Sequence, residues 1–423
     1  MTFKLFGRPA SRRAFLTGAG AVSAAALTGM PMPAIAQGQE ISIISNETNA
    51  DALVALRQIA EEFGKQAGVK VVINNMDTEA HKTAIRNYLV AGAPDVCFWF
   101  SGNRMRSFVK HNLFDDISDL FEKEKYKNVL GATTGSVTVD GKQYGLPTGG
   151  VLWGMFYRKD VFSHLGATAP TSWDDFLAFG AKCKSAGLTP IAMGTKELWP
   201  AAGWFDQMNL RINGLEKHMA LMNGEMSYLD PALKPVFDAW ETLIKQDFFT
   251  PNNTSFGWQE AGALLSQKKA GMMNLGAFVR ATFPKDELDQ LAFAPFPTID
   301  PKVGRFEEFS LNSIHIPARA RNKQGAREFL TYFYRPENLS RYLTPLGYVP
   351  PRNDMPPSQD PLVNAAVAVL KTTEGTSQYY DRDSDPDMAQ AGLVGFQEFM
   401  AKPERRDAIL TRLEATRKRI YKL

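Results

Sequence analysis

From residue 41 the chain alternates between short β-branched runs and longer stretches in which apolar residues return every three or four positions. Ile41-Ser42-Ile43-Ile44 has the character of a strand, and the polar turn Asn46-Glu47-Thr48-Asn49 follows with residues suited to capping a helix. Leu53, Leu56, Ile59, Ala60 and Phe63 then repeat at helical spacing up to Gly64. Residues 69–73 form a second strand-like run, Ile85, Tyr88 and Leu89 mark a second helix, and 95–100 after Pro94 a third strand. This β-α-β-α-β order predicts a parallel sheet with helices on both faces. Ligands of such sheets sit beyond the carboxyl ends of the strands. Those ends fall here at 46–49, 74–78 and 99–104.

The stretch 141–162, GKQYGLPTGGVLWGMFYRKDVF, departs from this rhythm. Proline fixes one backbone angle and removes a donor, while paired glycines tolerate almost any angle. Residues 147–150 therefore predict a break between two strands with no helix between them, where the chain leaves one lobe and enters another. The pattern then restarts. Pro170-Thr171-Ser172-Trp173-Asp174 is a helix start with a capping hydroxyl and an acid in the first turn, and Trp173, Phe176, Leu177 and Ala181 form the inner face. A strand at 187–194 follows. Next come a helix from Pro231 bearing Val236, Phe237, Trp240, Leu243 and Ile244, and a helix over 258–267. Strands are predicted at 271–275, 291–296 and 309–316, and a helix over 322–334. A second turn lies at 297–301, a third break at 347–351, and the charged tail 392–423 reads as helical with an interruption at Pro403.

Hydrophobic content of 44% and charged content of 22% are ordinary for a globular protein, and 423 residues suffice for two or three domains. The formal charge of +3 comes from the N-terminus. Residues 1–36 hold Lys4, Arg8, Arg12, Arg13 and no acid; taking those four from the 48 basic residues leaves the 45 acids one ahead. That balance gives no electrostatic case for nucleic acid or an anionic membrane surface. Ser11-Arg12-Arg13-Ala14-Phe15-Leu16, an Ala/Gly-rich apolar segment and Pro33-Ala34-Ile35-Ala36 together resemble a twin-arginine export signal with cleavage after Ala36. No cysteine ends the apolar segment, so we expect an exported protein, free in the periplasm and without a lipid anchor. Cys97 and Cys183 lie in strand-like and helix-like runs and read as buried hydrophobes.

A set of short motifs adds to this reading. Asp77-Thr78-Glu79-Ala80, Ala93-Pro94-Asp95-Val96, Gly141-x-x-Tyr144-Gly145-Leu146-Pro147, and Phe156-Tyr157-Arg158-Lys159-Asp160-Val161-Phe162 occur in that order. Pro170-Thr171-Ser172-Trp173-Asp174-Asp175-Phe176, Ala270-Gly271-Met272-Met273 and Ala326-Arg327-Glu328-Phe329-Leu330 follow. In this order and spacing the chain resembles the extracellular solute-binding proteins of ABC importers, the sugar-binding family that includes maltose-binding protein. The resemblance implies an α/β, two-lobed periplasmic-binding-protein fold of type II-like connectivity, with several interlobe crossovers near Pro147, 297–301 and 347–351. It gives a signal over 1–36, an N-lobe of 37–147 plus 300–347, and a C-lobe of 148–299 plus 348–423. It also implies a carbohydrate closed between the lobes and handed to a membrane permease. We expect a monomer, no cofactor and no metal.

A sugar presents hydroxyls at its edge and C–H patches on its faces. The hydroxyls suit carboxylates, amides and guanidinium groups, and the faces suit flat aromatic rings. Of the tryptophans, Trp173 and Trp240 lie on helical apolar faces and read as core. Trp99, Trp153, Trp199, Trp204 and Trp258 lie at strand ends, breaks or helix starts and are candidates for the pocket, with Phe100 and Phe278. Polar candidates are Asn46, Glu47, Asp77, His81, Arg104, Asn274, Glu308 and Arg352, joined by Gly276 and Tyr348; the plainer reading of the loop charges is a helix cap or solvation. Arg104 and Arg352 leave room for an acidic sugar. The five histidines show no close pairing and there is no CxxC, so a zinc site is unsupported, and no GxSxG elbow occurs. Two alternatives stay open: a glycoside hydrolase, which needs only two carboxylates at the right distance, and a ferric-iron binder using Tyr379-Tyr380.

Overall fold

The computed structural model describes residues 40–422, so the export signal read at 1–36 lies outside the described residues. Twelve strands occur among them. They are β1 (Glu40–Ser45), β2 (Lys70–Asn75), β3 (Val96–Phe100), β4 (Thr138–Val139), β5 (Lys142–Gln143), β6 (Leu146–Leu152), β7 (Gly154–Arg158), β8 (Thr189–Ile191), β9 (Ala270–Leu275), β10 (Leu291–Ala294), β11 (Phe306–His315) and β12 (Gly375–Ser377).

The first β-α-β-α-β unit forms as predicted. β1 pairs in parallel with β2 on one side and β3 on the other. The helix between β1 and β2, Ala50–Ala67, starts where the Asn49 side chain accepts the Asp51 and Ala52 amides, and ends at Gly68 with φ 69°. Its buried face is Ala52, Ala55, Leu56, Ile59, Ala60 and Phe63. β11 then adds antiparallel to β3, β12 adds parallel to β11, and β6 also pairs with β11. A second sheet, ordered β10-β7-β9-β8, is built by β7 pairing antiparallel with β9 and β10. One apolar cluster packs around the first sheet and two around the second. Cys97 and Cys183 are free and buried in different clusters, as expected.

Two sequence expectations need correction. Residues 147–150 are not a break: they lie inside β6, which is buried throughout. Its glycines serve close approach. The Phe309 ring occupies the space a side chain on Gly150 would need, and Leu343 and Tyr348 crowd Gly149. The register slips opposite Asn312 and Ser313, leaving Thr148 unpaired as a bulge. The chain leaves the first sheet only at Trp153, between β6 and β7.

The second correction is the 24-residue helix Trp199–Met222, which periodicity does not reveal. Residues 200–211 are buried on all sides, so there is no polar face to set a period, and Gly214 kinks the helix with φ 75°. This helix packs on the C-terminal helices and reaches β11, which places its N-terminus at the space between the sheets.

Candidate functional site

The three strand ends of the first sheet and the loops of the second sheet face one cleft of about 640 Å³. Small-molecule sites span about 300–1,000 Å³. Asn46 and Glu47 follow β1, Asp77 follows β2, and Trp99 and Phe100 end β3. From the other side come Trp199, Trp258 and Phe278. Trp153, Glu308 and Tyr348 line the connecting segments. The structure thus brings these eleven candidates together.

The second-sheet wall is aromatic. Trp153 lies 5.1 Å from Tyr379 and 5.9 Å from Trp199 between ring centroids; Trp199 lies 6.4 Å from Trp258, whose ring meets Phe278 edge-on at 5.1 Å. The edge of the Trp153 six-membered ring packs against Gly203, where a β-carbon would have no room. Gly203→Ala is therefore expected to unseat Trp153 and lower stability by about 1–3 kcal/mol. An unchanged denaturation midpoint would show that the ring can move aside.

The opposite wall sets polar groups beside the β3 rings Trp99 and Phe100. Asp77 caps the helix Thr78–Ala91, accepting the Glu79 and Ala80 amides, so the capping and pocket readings hold together. Glu47 accepts the Tyr342 hydroxyl at 2.7 Å and the Asn49 amide at 2.8 Å, and burial raises its pKa. Lys82 pairs with Glu79 at 2.9 Å and reaches to 6.0 Å from the Trp199 ring across the cleft; burial lowers its pKa.

Six candidates do not line the cleft. His81 is fully buried one turn after Asp77, its Nε2 3.0 Å from the Phe98 carbonyl and its ring against Trp99; burial pushes its pKa down to about 4. Trp204 is core, edge-on to Phe249 and Phe296. Asn274 donates to the Gly203 carbonyl from a buried position. Gly276 makes room for Val151 and Phe278. Arg104 pairs with Asp381 at 2.7 Å behind the wall, and Arg352 pairs with Asp354 and covers Tyr334. The two cations that left room for an acidic sugar are thus engaged elsewhere.

The segment 379–382 belongs to the cleft, although in the sequence only Tyr379-Tyr380 stood out, as possible iron ligands. Tyr379 enters the wall and Tyr380 the core. The Arg382 guanidinium sits between Phe100 at 4.2 Å and Tyr379 at 4.6 Å, and its Nη1 donates to Ser310 and Asn312. Burial would raise the Asp381 carboxyl, but Arg104, Lys82 and Arg382 bring it below its ordinary value. Asp206, on the long helix, and Glu308, on β11, were also brought together only by the fold. Both are fully buried, and their free oxygens Asp206 Oδ1 and Glu308 Oε1 find no other donor among the described residues. Burial drives both carboxyls well above their ordinary range, and the charge of Asp206 pushes Glu308 further up.

The chain matches the family described as bacterial extracellular solute-binding protein over residues 47–339. It belongs to that family. It is 25% identical over 354 residues to an uncharacterized ABC transporter extracellular-binding protein of Pyrococcus horikoshii, covering 80% of this chain and 78% of that one. The solved structure of the bacterial solute receptor AcbH, described as having an exclusive substrate preference for β-D-galactopyranose, superposes with a TM-score of 0.86 at 30% identity. The match covers 90% of this chain and 99% of that one. A chitin oligosaccharide binding protein has the same fold, with a TM-score of 0.82 at 21% identity over 89% of this chain and 98% of that one. The two-lobed α/β fold expected from the sequence is therefore the fold of this protein.

Proposed function

We propose that the cleft takes up a carbohydrate, a mono- or oligosaccharide or glycoside, and that the protein hands it to the membrane permease of an ABC importer. The observation that carries this reading is the pairing of a wall of flat rings, Trp153, Trp199, Trp258 and Tyr379, with a polar wall across the same cleft. Rings cover the C–H faces of a sugar with little loss of conformational entropy, and the opposite groups take its hydroxyls. The β-D-galactopyranose preference of AcbH, at 30% identity, points the same way. The first lobe runs through β6 to Leu152, past the boundary expected at 147, and takes 300–347; the second is 153–299 with 348–423, from which β12 returns to pair with β11. They close by hinge motion at the connecting segments, and ligand contacts to both lobes favour the closed form. The twin-arginine motif supports export to the periplasm. No covalent chemistry is asked of the chain.

The ferric-iron reading is weakened by the tyrosines themselves. Tyr379 Oη donates to the Val151 carbonyl at 2.9 Å and Tyr380 Oη is 2.5 Å from Tyr228 Oη, while burial raises both phenols. Neither is poised as an anionic oxygen ligand.

A thermal-shift screen against a broad panel of glycans tests the proposal. One class of sugar is expected to raise the melting temperature, because a ligand of the folded state alone stabilises it by mass action. Trp258→Ala should then weaken that sugar at least tenfold, or about 1.4 kcal/mol. A panel without a hit sinks the carbohydrate reading, and unchanged affinity in folded Trp258→Ala removes that ring from the site.

A further inference from the structure

Leu198 lines the cleft just before the long helix and has φ 68°, ψ −48°. The other non-glycine residues with positive φ among the described residues are Asn, Asp and Lys, and none of them lines the cleft. The ψ of Leu198 also lies outside the left-handed helical well. The Trp199 amide donates to the Glu197 carbonyl at 2.8 Å, two residues back. This is a one-residue γ-turn of the rare, strained hand, with a bulky leucine at its centre. Strain of this kind persists only where the surroundings over-determine it, and it gathers at ligand clamps.

The surroundings do over-determine it. Thr195 donates its amide to the Asn253 carbonyl and Lys196 to the Phe256 carbonyl. The Leu198 amide donates to the Thr195 carbonyl, which also accepts from Gln397. Glu197 Oε2 accepts the Trp258 amide at 3.1 Å. The loop 194–198 is thus zipped to the loop 253–258. Each loop ends in an indole of the cleft wall, Trp199 or Trp258, at the first position of its helix. Relaxing Leu198 into an ordinary well would break the 2.8 Å turn bond and re-aim the start of the long helix.

We propose that the Leu198 γ-turn is a strained positioning device that fixes Trp199 and Trp258 in their ligand-ready places, so that ring order is not left to be acquired on binding. This rests on the reading of the cleft as a ligand site. Leu198 is then a positioning residue that acts through the backbone.

The test compares Leu198→Gly with Leu198→Ala. Both remove the leucine side chain, and only glycine removes the penalty on positive φ. At an ordinary loop position alanine is the more stable of the two, because glycine has more freedom to lose. Here the order is expected to invert, with the glycine variant melting higher. Binding is expected to run the other way, with the glycine variant about threefold to tenfold weaker than alanine, since it must order two rings on binding. The probes are D-galactose and chitobiose, followed by calorimetry, with acrylamide quenching of tryptophan fluorescence measured in parallel without ligand. Greater quenching of the glycine variant supports the proposal. If alanine melts higher, or if the two variants bind and quench alike, the proposal is overturned. If the unmutated protein binds neither probe, nor any glycan of the panel, the carbohydrate reading fails; melting order and quenching still decide the turn.

Discussion

Arg382→Ala is expected to weaken ligand binding about hundredfold, or about 2.8 kcal/mol, and to destabilise the fold by about 2–5 kcal/mol. Arg382 is 8% exposed, and its guanidinium is stacked between Phe100, at the end of β3, and Tyr379, in the aromatic wall. It ties the two walls together, and its hydrogen bonds to Ser310 and Asn312 fix it to β11. Removing it leaves two rings without their common partner and strips a counter-charge from Asp381, which keeps Arg104. Arg382→Lys should recover part of the stability and little of the affinity, because an ammonium lacks the planar face that stacks on both rings. Denaturant unfolding and calorimetric titration read the two effects separately. An alanine variant with wild-type midpoint and affinity would show that the stack is incidental.

The second large effect concerns pH. Asp206 and Glu308 share a buried site beside His218, whose Nε2 lies 4.0 Å from Asp206 Oδ1 and whose pKa burial pushes down to about 3. Gln207 donates to Glu308, the Tyr380 amide donates to Asp206, and the charges of Asp381 and Asp383 add to the repulsion. Burial outweighs these hydrogen bonds and raises both pKa values above those of the unfolded chain. A proton shared by the pair in the folded protein is therefore expected, where the unfolded chain releases it near pH 4. The stabilisation is fully present below that value and is lost as pH rises towards the raised folded pKa, at up to about 1.4 kcal/mol per pH unit for one proton. Glu308→Gln supplies a permanent N–H donor to Asp206 in place of the shared proton. It is expected to flatten the fall in melting temperature between pH 5 and pH 8 and to melt above the unmutated protein at pH 8. Parallel melting curves for the two proteins across that range would show that the pair carries no shared proton.

What local sequence encodes came through clearly. The alternation of 41–44, the Asn49 cap and the Ser172–Asp175 capping box are set by residues a few positions apart, so they can be read without knowing the fold. The same holds for Asn46, Glu47, Asp77 and Trp258, which stand at strand ends or helix starts, and topology sends those positions towards the cleft. Trp204 misled because proximity to Pro200 and Gly203 suggests a loop, whereas its helix is sheathed on every side. His81 misled because one helical turn from Asp77 places it on the inward face.

The sequence by itself determined the first β-α-β-α-β unit, the capped helix starts, the family, and several of the loops that border a site. Those follow from periods of two and 3.6 residues and from hydrogen bonds between near neighbours. Only the tertiary structure decided which of those groups meet. Glu47 finds Tyr342, Ser101 finds Gln378, and Asp206 finds Glu308 across distances in sequence that no local pattern records. The run Tyr380-Asp381-Arg382-Asp383 looks like a solvated surface until β12 joins β11 and draws it under the aromatic wall, where opposite charges and ring faces replace the water it would otherwise need.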